Sequence, residues 1–261
     1  MKIAVNGAAG TMGRRLIGAI IQADDCELVA ALECAGHPRL GQDAGKLAGV
    51  GKLGVAMSSE LDGGPDVLID FSLPEGTMLR ARECAERRVA MVIGTTGLSE
   101  EQRASIEADT ATRVPVLVAP NMSVGVNLLF CLAELAAGAL PAGYDVEIVE
   151  SHHRRKVDAP SGTALELARR LCGALGRSED VLLHGRQGRV GRRTAEEIAI
   201  HAVRAGDIVG EHTVLFATEG ERIELTHRAS SRDVFARGAL EAARFLLGKP
   251  PRLYSMADVL A

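Results

Sequence analysis

Tryptophan is absent, and aromatic residues occupy only 3% of the 261 positions. Stacking platforms for single-stranded nucleic acid are built from such rings, so that class of function is disfavoured. Positive charge is not in excess either. The formal net charge is −4, which argues against a general polyanion-binding surface. Cysteine is sparse and scattered: Cys26, Cys34, Cys84, Cys131 and Cys172 are odd in number and form no C-x-x-C pair. That disfavours a disulfide framework and a thiolate zinc site, and it suits a reducing cytoplasm. Long apolar runs are missing from the amino terminus, where Asn6, Arg14 and Arg15 interrupt MKIAVNGAAGTMGRR. Neither a signal peptide nor a membrane span is expected. No internal repeat, low-complexity tract or long linker stands out.

What is present fits a folded chain of one large or two modest domains, with 47% hydrophobic and 25% charged residues. KIAVN (2–6), ELVAALE (27–33), VLIDFS (67–72), AMVIGTT (90–96) and VPVLVAPN (114–121) are apolar runs without polar alternation. Helix-compatible segments separate them: about Met12 to Ala23, 74–88, and 99–111, where Ser99 and Gln102 make a capping box. Buried strands alternating with helices imply a parallel sheet covered on both faces. The expected fold is therefore α/β, with a Rossmann-like doubly wound parallel sheet.

The pattern changes after residue 122. A long apolar helix (123–140) leads to DVEIVE (145–150), whose apolar and acidic residues alternate as in a half-buried strand. Residues 196–205, 211–218 and 221–229 read as further strands, the last two joined by a tight turn at Glu219-Gly220. Strands with few intervening helices suggest a second α+β domain with an open mixed sheet. An amphipathic helix in SRDVFARGALEAARFLLGK (231–249) could return to the first domain. The expected division is a dinucleotide-binding domain at 1–122, joined by 231–261, and a substrate-binding and oligomerisation domain at 123–230.

Gly7, Gly10 and Gly13 follow the first strand with G-x-x-G-x-x-G spacing, a variant of the dinucleotide fingerprint. Such glycines let backbone N–H groups approach a pyrophosphate at a helix start. Glu33 lies 20 positions beyond Gly13 and ends the second apolar run, where an acid binds the ribose hydroxyls. A turn that merely packs a helix on a strand is the competing reading. GTTG (94–97) and APN (119–121) follow later strands and would sit at the same sheet edge. Glu33 suits a free 2′-hydroxyl, and Cys34 stands where an arginine would grip a 2′-phosphate. His37 and Arg39 are close enough to compensate. NADH is expected to serve at least as well as NADPH.

The second cluster is HHRRK, from His152 to Lys156, followed by Pro160-Ser161-Gly162-Thr163. The histidines should leave a strand in a loop, with Pro160 in the first turn of a helix through ALELARRL. Free N–H groups at a helix start attract carboxylates, and a nearby lysine adds a full charge. The combination suggests an anionic small-molecule site with a histidine able to pass a proton. A solvated basic loop is the main alternative. Nucleic-acid binding lacks aromatic support, and metal ligation lacks a third ligand, so no metal is expected.

Taken in order, GAAGTMG, DFS-x-PEG, GTTG, APNMSVGVN, HHRRKVDAPSGTA, HAVRAGDIVGEHTV and ELTHRASSRDVFARGA resemble the 4-hydroxy-tetrahydrodipicolinate reductase family over essentially the whole chain. The resemblance implies NAD(P)H-dependent reduction of a cyclic imine dicarboxylate in diaminopimelate and lysine biosynthesis. It implies that His152 donates or accepts the proton and that Lys156 is a second donor and substrate contact. His153, Gly162 and Thr163 would bind a substrate carboxylate, with Ser161 in the same turn. Gly7, Ala8, Ala9, Gly10, Thr11, Met12, Glu33, Gly94, Thr95, Thr96, Ala119, Pro120, Asn121 and Met122 match the cofactor segments. Members using NADPH commonly carry an arginine after the ribose acid, and many have a basic residue where Leu73 stands here. A homotetramer assembled through the second domain's sheet is also implied. Another nicotinamide-dependent reductase of a small keto or imino acid, or a dinucleotide sensor, is the alternative.

Overall fold

The computed structural model describes residues 1–261, which divide into two units: Met1–Val124 with Asp233–Ala261, and Gly125–Arg232. In the first, β1 (Lys2–Asn6), α1 (Thr11–Ile21), β2 (Glu27–Leu32), α2 (Ala44–Ala48) and β3 (Met57–Ser58) come first. Then come β4 (Val67–Asp70), α3 (Pro74–Arg87), β5 (Ala90–Ile93), α4 (Glu100–Ser105) continued by a π-turn, and β6 (Val116–Val118). The long helix α5 (Val124–Ala139) opens the second unit, which holds β7 (Asp145–His152), α6 (Gly162–Leu175) and β8 (Leu182–Leu183). β9 (Ile198–Arg204), β10 (Gly210–Thr218) and β11 (Glu221–Ala229) complete it. The chain then returns to the first unit with α7 (Asp233–Leu246), β12 (Leu253–Tyr254) and α8 (Met256–Leu260).

The first sheet has seven parallel strands in the order β3-β2-β1-β4-β5-β6-β12. The order reverses between β1 and β4, the switch point at which such folds bind ligands. Alternate residues feed opposite faces. Ile3, Val5, Val67, Ile69 and Val92 meet α1 and α7, while Ala4, Leu68, Met91 and Ile93 meet α3 and the π-turn. Each fully buried Leu or Ile contributes about 1.5–3 kcal/mol of transfer free energy. Burial on both faces explains the continuous apolar runs.

The second sheet is mixed, ordered β11-β10-β7-β9-β8, with β7, β9 and β8 parallel and β10 antiparallel to β7 and β11. One face (Val146, Ile148, Ile198, Ile200, Val214, Phe216) packs under α5 and α6. Glu147 on the other face binds Arg186, Arg193 and His201. No helix is long and apolar enough to cross a membrane.

Several expected bounds change. β4, β5 and β6 stop before Phe71-Ser72, GTT and APN, because ladder pairing ends at the sheet edge and these residues turn away. β7 continues through His152, since pairing with β9 extends to His152↔Arg204; His152 therefore lies in the strand rather than the loop. Pro160 precedes the helix instead of entering it. The Ser161 hydroxyl accepts from Ala164 N–H at 3.2 Å, which makes Ser161 the cap and Gly162 the first helical residue.

Candidate functional site

In the first unit the turn after β1 is built at the switch point. Gly7 has φ +73°, and a Cβ there would lie 2.3 Å from the Phe71 carbonyl oxygen. A Cβ on Gly13 would lie 2.2 Å from the Gly7 carbonyl oxygen. Both positions therefore exclude side chains and bring backbone close to backbone. Gly10 precedes α1 without a side-chain cap, and no acidic residue occupies the first turn. The first-turn N–H groups are thus presented without a competing anion.

Glu33 sits just past β2, and its Oε1 accepts from Ala9 N–H at 2.9 Å. Its other carboxylate oxygen has no protein donor, so the acid can address a ligand while bracing the turn. Cys34 and Leu73 are exposed, the latter at 71%, and the Arg39 guanidinium binds Gln42. Ala8 and Met122 are buried within the core, which leaves their backbones as the parts able to meet a ligand. Thr95 is buried and Thr96 exposed, while the Asn121 side chain accepts from Ser123 N–H at 2.9 Å.

Asp70 has no expected role in the sequence, yet it gathers this edge of the sheet. It is fully buried and accepts from Asn6 Nδ2 at 2.7 Å and from the Ser72, Thr77 and Thr95 hydroxyls at 2.6, 2.5 and 2.8 Å. One carboxylate thereby pins the ends of three strands that carry the Gly7, Ser72 and Thr95 turns.

In the second unit, His152, His153, Lys156 and the start of α6 gather at the carboxyl end of β7. Val146 and Ile148 enter the core on alternate positions, so Glu150 and His152 fall in the same row. Glu150 is fully buried, and its Oε2 meets His152 Nδ1 at 2.6 Å and Arg204 Nη1 at 2.9 Å. Its Oε1 accepts from Arg204 Nη2 at 2.8 Å and from Ser161 N–H at 3.0 Å. Burial opposes the charge, but the hydrogen bonds from His152, Arg204 and Ser161 outweigh it and bring the carboxyl down to about 2.

His153 Nε2 accepts from Arg232 Nη2 at 3.2 Å, because a guanidinium can only donate. The remaining proton of the neutral ring is on Nδ1, which is buried and has no partner. Burial, then the positive charges of Arg232 and Arg155, hold this imidazole below its ordinary pKa. His153 therefore presents one neutral N–H donor. Lys156 Nζ binds both oxygens of Asp158 at 2.7 Å, which leaves one of its three N–H groups. Ser161 is buried with its polar groups engaged: N–H to Glu150, hydroxyl to Ala164 N–H and to His212 Nε2 at 3.2 Å. Gly162, by contrast, is exposed at the first position of α6, and Thr163 follows half-buried.

Nearly all of the chain matches the two models of one family. Residues 1–122 match "Dihydrodipicolinate reductase, N-terminus" and residues 125–260 match "Dihydrodipicolinate reductase, C-terminus". A 4-hydroxy-tetrahydrodipicolinate reductase from Alkalilimnicola ehrlichii is 53% identical over 99% of this chain and 98% of its own. One from Nitrosomonas europaea is 52% identical over 100% and 98%. Among solved structures, a dipicolinate-bound dihydrodipicolinate reductase from Paenisporosarcina sp. TG-14 has a TM-score of 0.79 at 26% identity, covering 100% of this chain and 99% of that one.

Proposed function

The chain belongs to the dihydrodipicolinate reductase family, and on that premise we propose that it reduces 4-hydroxy-tetrahydrodipicolinate to tetrahydrodipicolinate with a nicotinamide cofactor. The single observation that carries the reading within this structure is the convergence of a histidine held by a buried carboxylate, a neutral histidine donor, a lysine and an open helix start. These are the groups needed to hold a dicarboxylate and to move one proton.

The cofactor fits the first unit, because Gly7 and Gly13 let the turn close backbone on backbone, where a Cβ would meet carbonyl oxygens at 2.3 and 2.2 Å, and the α1 start it leads into has no side-chain cap and no first-turn acid. The turn Gly7–Met12 would hold its pyrophosphate, Glu33 its ribose, and Gly94–Thr96 with Ala119–Met122 its nicotinamide end. When bound, the reduced nicotinamide supplies hydride to C4 of the conjugated ring formed by loss of water. His152 supplies the proton from Nε2, since Nδ1 is committed to Glu150. His153 Nδ1–H and the first turn of α6 at Gly162 and Thr163 bind one carboxylate. Lys156 stabilises charge that develops on the ring and its carboxylates through the N–H that Asp158 leaves over. Ser161 acts indirectly, as helix cap and as a donor to Glu150.

Glu33 suits a free 2′-hydroxyl, neither Cys34 nor the exposed Leu73 is basic, and the Arg39 guanidinium is engaged with Gln42, so NADH serves at least as well as NADPH. The five unpaired cysteines suit a cytoplasmic enzyme. A homotetramer assembles through the second sheet, where β11 offers mostly exposed side chains; light scattering that gave a monomer would remove that part. The activity is tested by following 340 nm absorbance with the hydroxylated substrate. Wild-type turnover is expected, with His152→Ala and Lys156→Ala each about 10²–10⁴-fold slower while NADH binding survives. Turnover in both variants at the wild-type rate would remove the assignment.

A further inference from the structure

An acid in the apolar row of β7 is costly to desolvate, and its retention calls for a role. Glu150 has four donors on two oxygens, so it is saturated and acts only as an acceptor. His152 Nδ1, at 2.6 Å from Glu150 Oε2, must therefore carry the hydrogen. That fixes the tautomer and leaves Nε2 as the nitrogen able to take or give a proton. The same nitrogen points at Gly210, where a Cβ would lie 3.1 Å away, and the missing side chain gives it room. The His212 ring meets His152 edge-on with centroids 5.3 Å apart, which restricts rotation of the imidazole plane.

Arg204 extends the arrangement. It lies opposite His152 in the ladder, grips Glu150 with both terminal nitrogens, and donates from Nη2 to the Asp158 carbonyl at 2.7 Å. Ser161 N–H binds the other Glu150 oxygen. The two ends of the segment that carries His153 and Lys156 are thus tied to one carboxylate. The charged and titratable groups around His152 are Glu150 on its own strand, Arg204 on β9, His212 on β10, and His153 and Lys156 beyond the strand.

We propose that Glu150, paired with Arg204, is a positioning residue that locks His152 as the Nδ1–H tautomer and aims Nε2 at the reacting atoms. The proposal deepens the reductase reading above and rests on it for its kinetic arm. Its direct test does not. Nitrogen-15 correlation spectra of histidine-labelled full-length protein at alkaline pH should show His152 with Nδ1–H and bare Nε2. The opposite tautomer, or an equal mixture, overturns the proposal whether or not any activity is found.

In the kinetic arm, Glu150→Gln offers an amide N–H to His152 or to Arg204 and disturbs the tautomer. We expect kcat to fall about 100-fold or more with KM within about threefold. Loss of the adjacent negative charge should also move the alkaline limb of the rate profile to lower pH by about 1 unit or more. In a His152→Ala background the same change should cost nothing further. An equal fold loss in both backgrounds would show that Glu150 acts independently of His152 and would refute positioning. A wild-type protein without turnover would sink the reductase reading instead, leaving the spectroscopic arm to decide the tautomer.

Discussion

His212 gives the sharpest test of the electrostatics around the second site. It sits on β10 with 3% of its surface exposed, its Nε2 on the Ser161 hydroxyl and its Nδ1 buried without a partner. Protonation would bury a charge and a further donor with no acceptor. Burial first, and the neighbouring His152 second, push this imidazole down to about 3. The unfolded chain takes up the proton near pH 6.5, the folded protein only near 3, so the unfolded state binds more protons between those values. Stability from this group is complete above the unfolded value and is lost as pH falls, at about 1.4 kcal/mol per pH unit.

At pH 4.5 the loss reaches roughly 2–3 kcal/mol, a large share of a typical domain's stability. His153 and His227 are also lowered, chiefly by burial, and steepen the wild-type curve in the same direction. The informative quantity is therefore the difference from His212→Gln, which can keep a hydrogen bond to Ser161 but cannot titrate. Urea unfolding followed by circular dichroism between pH 7 and 4.5, at constant ionic strength, should give a flatter curve for the variant by that amount. Glu147 and Glu150, both held down at about 2 in the fold, start to lose their stabilisation as the unfolded carboxyls protonate near 4.5, and that loss is common to both proteins and cancels in the difference. Parallel curves for wild type and variant would refute the account of His212 as a buried neutral group.

Gly210→Ala places a methyl 3.1 Å from His152 Nε2; about tenfold slower turnover with an unchanged melting temperature is expected, and a displaced imidazole should be visible by crystallography. Gly13→Ala sets a methyl 2.2 Å from the Gly7 carbonyl oxygen, so calorimetry should find NADH affinity lost while pyridine dicarboxylate binding to the second unit persists. Asp70→Ala strands four buried or half-buried donors, from Asn6, Ser72, Thr77 and Thr95. It should cost about 3–5 kcal/mol by denaturant titration, the range for breaking a buried charged network. Among the thiols, exposed Cys34 should react first with a disulfide reagent, while Cys84, buried and pushed far up in pKa by desolvation, should react only on unfolding.

The parallel sheet was legible because its strands are buried on both faces. Runs such as VLID and AMVI have no polar alternation, and a hydroxyl residue or glycine stands within two positions of the point where pairing stops, at Ser72 and Gly94. The two-residue strands β3 and β12 carry no such signal. Their strand character comes from pairing with β2 and β6, a tertiary fact with no local period. Helix α4 was legible by its capping box, but its passage into a π-turn at Ile106–Thr110 was not, because nothing in EADT marks a change of hydrogen-bond step. At Pro160-Ser161 two rules competed. Proline favours the first helical position and serine favours the cap, and the serine's hydrogen bond to Ala164 N–H decided the outcome.

Glu150 shows where residue type misleads and phase would have helped. DVEIVE reads as apolar and acidic alternation, which suggests that every acid faces outward. Yet Val149 interrupts the alternation, and the step from Ile148 to Glu150 keeps the acid in the core row with Val146. Followed strictly by twos, the same row reaches His152. An acid two residues before a histidine, both in phase with buried valine and isoleucine, must find a counter-charge from another strand. Arg204 fills that need from β9, 54 positions away and far beyond any local motif. The histidines, lysine and hydroxyl turn were readable because they are contiguous. The group that orients them was not, because its meaning depends on strand phase and on a partner supplied by the fold.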